Sequence, residues 1–112
     1  MSLDPQNQFV SLTAAGTDAS TATPIPRMGL WTVVLATSLT GGADGLLLPS
    51  VAEGALLGDI VEVHQAPGTS GYPHIYTVSG GYTGPVTGGG VGGINVLLRM
   101  IASDIWAILL IT

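Results

Sequence analysis

The chain has 112 residues, of which 46% are hydrophobic and only 8% charged, with no cysteine, no lysine and a net charge of −5. That length holds one domain with one core, and the missing cysteines exclude a disulfide framework, a zinc–cysteine site and a thiol nucleophile. With Arg27 and Arg99 as its sole cations and an isoelectric point near 4.3, the chain lacks the basic footprint that nucleic acid or an anionic membrane surface demands.

Residues 1–28 are read as an extended N-terminal arm. Its large apolar side chains are few (Leu3, Phe9, Val10, Leu12 and Ile25), and the run of Ser, Thr, Ala and Gly over 11–23 has little to bury in exchange for its lost freedom. Pro24-Ile25-Pro26 closes it as extended chain, because a proline biases the residue before it away from helix. The opening residues carry neither the basic stretch nor the apolar core of a secretory signal, so none is expected.

From Gly29 a β-domain is expected over 29–112, in short runs punctuated by Gly and Pro. Residues 30–36 (Leu-Trp-Thr-Val-Val-Leu-Ala) are β-branched and aromatic and predict a strand. A glycine-rich turn over 40–45 leads to the run Leu46-Leu47-Leu48, which Pro49 ends. One helical turn is expected within 50–58, where Ser50 and Glu53 have capping-box spacing. Further strands are expected over 59–65 and 74–79, with an irregular segment over 82–93. Residues 94–101 and 104–111 then predict a hairpin across Ala102-Ser103. Seventeen glycines and seven prolines leave no window for a long helix. The pattern is that of an all-β chain: a small β-sandwich or jelly-roll-like domain of about five to seven short strands with an extended N-terminal arm.

A mean hydropathy of +0.57 on a chain without a spanning segment implies buried contact outside its own core. The apolar run 105–111 is far below the ~20 residues of a spanning helix, so no membrane association is expected. Permanent self-association is the simplest expectation, since obligate interfaces are poor in charge. The last strand points the same way: instead of alternating apolar with polar, it is apolar on both faces, with Trp106, Ile108 and Leu110 on one of them. The expected oligomer interface is Ile94, Val96, Leu98 and Met100 with Trp106, Ile108 and Leu110.

A resemblance joins these pieces. Leu46-Leu47-Leu48-Pro49 with Ala52 and Gly54, then Gly58-Asp59-Ile60-Val61-Glu62-Val63, then Tyr76-Thr77-Val78-Ser79-Gly80-Gly81, and finally Asp104-Ile105-Trp106-Ala107-Ile108-Leu109 resemble, in this order, a pattern of small phage virion proteins. The chain departs from that pattern at Ser79, where the pattern has proline, and in its glycine-rich 82–93 segment. Membership would imply a small trimeric β-domain of the capsid decoration (cement) type on the outer surface of the virion. Its partners would be its own copies in a homotrimer and the major capsid protein, and Leu3, Phe9, Val10 and Leu12 would anchor the arm on the shell. The alternative is a receptor- or glycan-binding module of a tail spike or fibre, with Tyr72, Tyr76 and Tyr82 as its exposed aromatics.

Motifs for chemistry are missing. His64 and His74 sit ten residues apart on different predicted strands without a second ligand cluster. No G-x-S-x-G elbow occurs, and the seven acidic residues are dispersed. Gly88-Gly89-Gly90-Val91-Gly92-Gly93 satisfies G-x-G-x-x-G in letters alone, since a strand rather than a helix is expected after it. The expectation is a structural protein, not an enzyme, without cofactor or metal.

Overall fold

The computed structural model describes residues 8–39, 44–67, 71–79, 82–85 and 95–111, and they form an all-β, two-layer sandwich. The described residues form nine strands: β1 (Phe9–Thr13), β2 (Thr23–Pro24), β3 (Trp31–Thr37), β4 (Gly45–Leu47), β5 (Ile60–Gln65), β6 (His74–Tyr76), β7 (Tyr82–Pro85), β8 (Asn95–Ala102) and β9 (Ile105–Ile111). One sheet has the order β1-β3-β5-β8-β9 and the other β2-β4-β6-β7.

The connectivity is a coil. Successive strands alternate between the sheets, so that β1, β3 and β5 stack in parallel in one layer and β2, β4 and β6 in parallel in the other. Antiparallel strands then close the last turn of the coil, β7 beside β6 and the β8–β9 hairpin beside β5. The expected small all-β sandwich is seen, and its strand count among the described residues exceeds the expected five to seven. The two additional strands are β1 and β2, in the N-terminal segment.

The expected division at residue 28 is corrected here. Residues 8–28 are not a free arm: β1 runs in unbroken register with β3, from Phe9 beside Val33 to Thr13 beside Thr37, and β2 pairs with β4. Ala14, Ala22 and Ile25 are buried, Ile25 almost completely. The low apolar content that suggested an arm is enough for an edge strand, which buries side chains on one face only. Leu3 lies outside the described residues.

Each central strand alternates as a half-buried strand should. In β3, Thr32, Val34 and Ala36 point inward, and in β5 Val61, Val63 and Gln65 do. They meet Leu46 of β4 and Ile75 of β6 from the opposite layer, with Ile25, Leu39 and Leu48 filling the ends of the core. Between β4 and β5 lies a 3-10 turn, Val51–Glu53, where the expected capping box is seen: the Glu53 carboxylate accepts the Ser50 backbone N–H at 3.4 Å. Gly54 follows at φ 101° and ends it in the left-handed region.

The end of the sandwich at which β3 and β5 begin, here the lower end, is stitched by polar contacts. The Arg27 guanidinium bonds Asp59, and Asp59 Oδ2 also accepts the Leu56 N–H at 2.9 Å. Asp104 in the β8–β9 turn accepts the Val51 N–H on its carboxylate at 2.7 Å and the Ser79 hydroxyl on its carbonyl at 3.0 Å. Four connections are thereby held side by side.

Candidate assembly surface

The inner face of the five-stranded sheet is core, and no element among the described residues packs over its outer face. The register defines that outer face in rows. Trp31, Ile60, Arg99 and Ala107 lie side by side across β3, β5, β8 and β9. Phe9, Val33, Glu62 and Leu97 form the next row across β1, β3, β5 and β8. Ser11, Leu35 and His64 form the third. Parallel strands are ordinarily covered on both faces. Here the parallel trio β1, β3 and β5 is covered on one, leaving Phe9 54% and Trp31 43% exposed.

The apolar surface continues around the lower end. Ile101 and Ile105 flank the β8–β9 turn at 59% and 50% exposed, and Leu30, Leu56 and Leu57 stand beside them at 63%, 59% and 65%. Backbone bonds fix this clustering: Ile60 N–H donates to the Leu30 carbonyl at 2.8 Å and Gly58 N–H to the Met100 carbonyl at 2.9 Å. Isolated exposed apolar side chains are normal, whereas a continuous set marks an interface.

Set into this face is one polar island. Glu62 and His64, two positions apart on β5, share a face; the His64 Nε2 and Glu62 Oε2 atoms are in contact, and Trp31 Nε1 donates to Glu62 Oε1 at 3.0 Å. Both side chains are about two-thirds shielded. Arg99, exposed on the same face, has no ion-pair partner among the described residues and lies two rows of side chains away from His64.

The expected interface on the last hairpin is corrected by these positions. Val96, Leu98 and Met100 are 1%, 0% and 1% exposed, all within the chain's own core, so they cannot meet another copy. Trp106 packs partly buried against that core, and Ile108, opposite Leu98, is exposed at the sheet's margin. Ile94 and the Leu110 side chain lie outside the described residues. The solvent-facing side of β8 is instead Leu97, Arg99 and Ile101. Arg99 was the signal: of two alternating faces, the one with the charge is the outer one. Sequence reasoning also passed over Trp31, Ile60 and Leu97 as surface, because a β-rich run states its alternation and not which side faces water.

Of the proposed anchors, Phe9 is exposed on the outer face, whereas Val10 and Leu12 pack partly buried against the core. Of the tyrosines, Tyr72 is exposed, and Tyr76 is committed by its hydroxyl to the Thr17 carbonyl at 2.8 Å; the Tyr82 side chain lies outside the described residues. His74 Nδ1 is held by the Tyr72 carbonyl at 3.0 Å. Among the described residues, no group of three or more histidine or acidic side chains is placed to hold a metal ion, and no helix is long and apolar enough to cross a membrane.

Compared with protein-family models, curated proteins and solved structures, the chain matches none.

Proposed function

We propose that this chain is a structural, self-associating β-subunit of a bacteriophage particle, placed on the outer capsid surface as a decoration subunit and acting without catalysis. One observation carries the self-association: the outer face of the five-stranded sheet is largely apolar, uncovered by any described residue, and continuous with an apolar lower end. A chain with 8% charged residues has few means of keeping such a surface solvated. Apolar burial contributes about 25 cal/mol per Å², so covering several of these side chains outweighs the loss of independent motion in a sufficiently large interface.

The virion assignment and the homotrimer rest on the resemblance of the ordered motifs described above. The major capsid protein is the proposed second partner. Because β1 and β2 belong to the sheets, the capsid contact is assigned to the lower end and not to a long free arm. The side chains there, Leu30, Leu56 and Leu57, suit an apolar partner surface.

Antibody labelling of purified particles tests the location. Label over the capsid shell supports a decoration subunit; label confined to the tail tip would favour the spike or fibre module instead. Particles that carry none of the chain would overturn the virion reading.

A further inference from the structure

Of the four sheet edges, three carry devices that blunt pairing. β2 is two residues long and ends in Pro24, and β7 ends in Pro85 with an irregular register against β6. β9 shifts register twice against β8. Short strands, prolines and bulges are the usual protection of an exposed edge. β1 has none of them: Phe-Val-Ser-Leu-Thr is uncharged, free of Pro and Gly, and in unbroken register with β3 over five positions. It is also the open first turn of the coil, whose last turn is closed by β7, β8 and β9, and stacked turns need capping at both ends.

The outward groups on this edge follow from the ladder. Gln8 C=O accepts the Val33 N–H at 2.9 Å, and Ala14 N–H donates to Thr37 C=O at 3.0 Å. In a parallel ladder alternate residues send both backbone groups the same way. Val10 and Leu12 therefore face β3, while Phe9, Ser11 and Thr13 direct N–H and C=O outward. Thr13 C=O accepts the Thr23 hydroxyl at 2.6 Å; the remaining outward groups have no partner among the described residues.

We infer that β1 pairs antiparallel with β1 of a second copy of this chain, about a twofold axis through Ser11. The strand is complementary to its own reversal. Centred on Ser11, the pairing sets Phe9 against Thr13 of the second copy, Val10 against Leu12, and Ser11 against Ser11. Val10 and Leu12, half-buried at the margin of the core, then cover each other and extend both cores across the axis. Centring on Phe9 would carry the pairing past Gln8, and centring on Thr13 would run it into the turn at Gly16, whose φ is 89°. Ser11 is the centre at which all three outward residues of β1 pair within the strand. The uncharged sequence offers no selection for a charged foreign strand, and the pairing makes two apolar outer faces continuous. This contact is separate from those faces, so it links two subunits whatever ring the faces form, and it does not depend on the virion reading.

The chain has no cysteine, so Ser11→Cys is a clean probe. Opposed residues in a hydrogen-bonded antiparallel pair lie about 5.5 Å apart between Cα atoms, within disulfide reach. Mild oxidation should give a disulfide-linked dimer that reverts on reduction, under conditions in which Thr17→Cys, equally exposed on the following connection, stays uncross-linked. Cross-linking of Ser11→Cys no faster than that of Thr17→Cys would overturn the proposal. Ser11→Lys sets two ammonium groups across the axis and should halve the solution mass with an unchanged β-type circular dichroism spectrum; an unchanged mass would equally overturn it.

Discussion

Arg27 and Asp59, 32 positions apart, are joined by two parallel hydrogen bonds, Nε to Oδ2 at 2.9 Å and Nη2 to Oδ1 at 3.1 Å. The Asp59 side chain is buried, at 2% exposure, and the backbone carbonyl of the same residue accepts the Met100 N–H at 3.0 Å. One acidic residue thus ties the β2–β3 connection to the entry of β5 and to β8. The bond to Asp59 raises the guanidinium's already high affinity for its proton.

Asp59→Ala should therefore destabilise the chain by about 3 kcal/mol in urea unfolding, since the Leu56 N–H and the guanidinium both lose their acceptor. Asp59→Asn, which keeps an acceptor without the charge, should fall between the two. Equal stability of Asp59→Ala and the parent would contradict the stitching role.

The two faces of β8 separate core from surface. Leu98→Ala should cost about 2–5 kcal/mol, the range for a fully buried leucine. Ile101→Ser, three positions on and 59% exposed, should leave the fold intact by circular dichroism and lower the assembly mass. A reversed pattern would place the interface on the inner face after all.

Asp18 supplies a pH-dependent term. Its Oδ1 accepts Ser20 Oγ at 2.8 Å, Thr21 Oγ1 at 2.9 Å and the Ser20 and Thr21 N–H groups at 3.0 Å, and these bonds, the side-chain ones foremost, hold its carboxyl below the usual value of 3.8. A carboxylate lowered on folding stabilises the native state above its unfolded value and loses that contribution as the pH falls through its folded one. The stability difference between the parent and Asp18→Asn should be present at neutral pH and vanish below pH 3.8. A difference that grows on acidification would contradict this.

Glycines on two connections should respond differently to alanine. At Gly16 a Cβ would lie 2.3 Å from the Thr21 carbonyl carbon, at φ 89°, so Gly16→Ala must displace backbone and should lower the melting temperature strongly. At Gly54, with φ 101° and nothing within 4 Å, the cost is the left-handed strain alone, about 1–2 kcal/mol. Similar losses at both sites would contradict the close approach at Gly16.

Strand identity was legible wherever β-branched residues met turn residues: the predicted runs over 30–36 and 59–65 are β3 and β5 to within one residue at either end. The capping box at Ser50 and Glu53 was legible for the same local reason. What the sequence withheld was non-local. Phe9 to Thr13 has the content of a linker, and becomes a strand because β3 offers it a parallel edge. Thr23-Pro24 joins a sheet on two residues of pairing, too short for any pattern to register. The surface was half legible. The charge deficit announced an interface, but Val96 and Leu97 alternate in either orientation, and the sheet opposite decides that Val96 is core.

The central claim is that this surface holds copies of the chain together. Light scattering on the purified protein, alongside Leu97→Arg and Ile101→Ser on the outer face, tests it directly. The account predicts a parent mass that is a multiple of 11.3 kDa, three copies from the outer-face contact alone and twice that where β1 pairing joins two such rings, and a lower mass for both variants. A parent that remains at 11.3 kDa across working concentrations would contradict it.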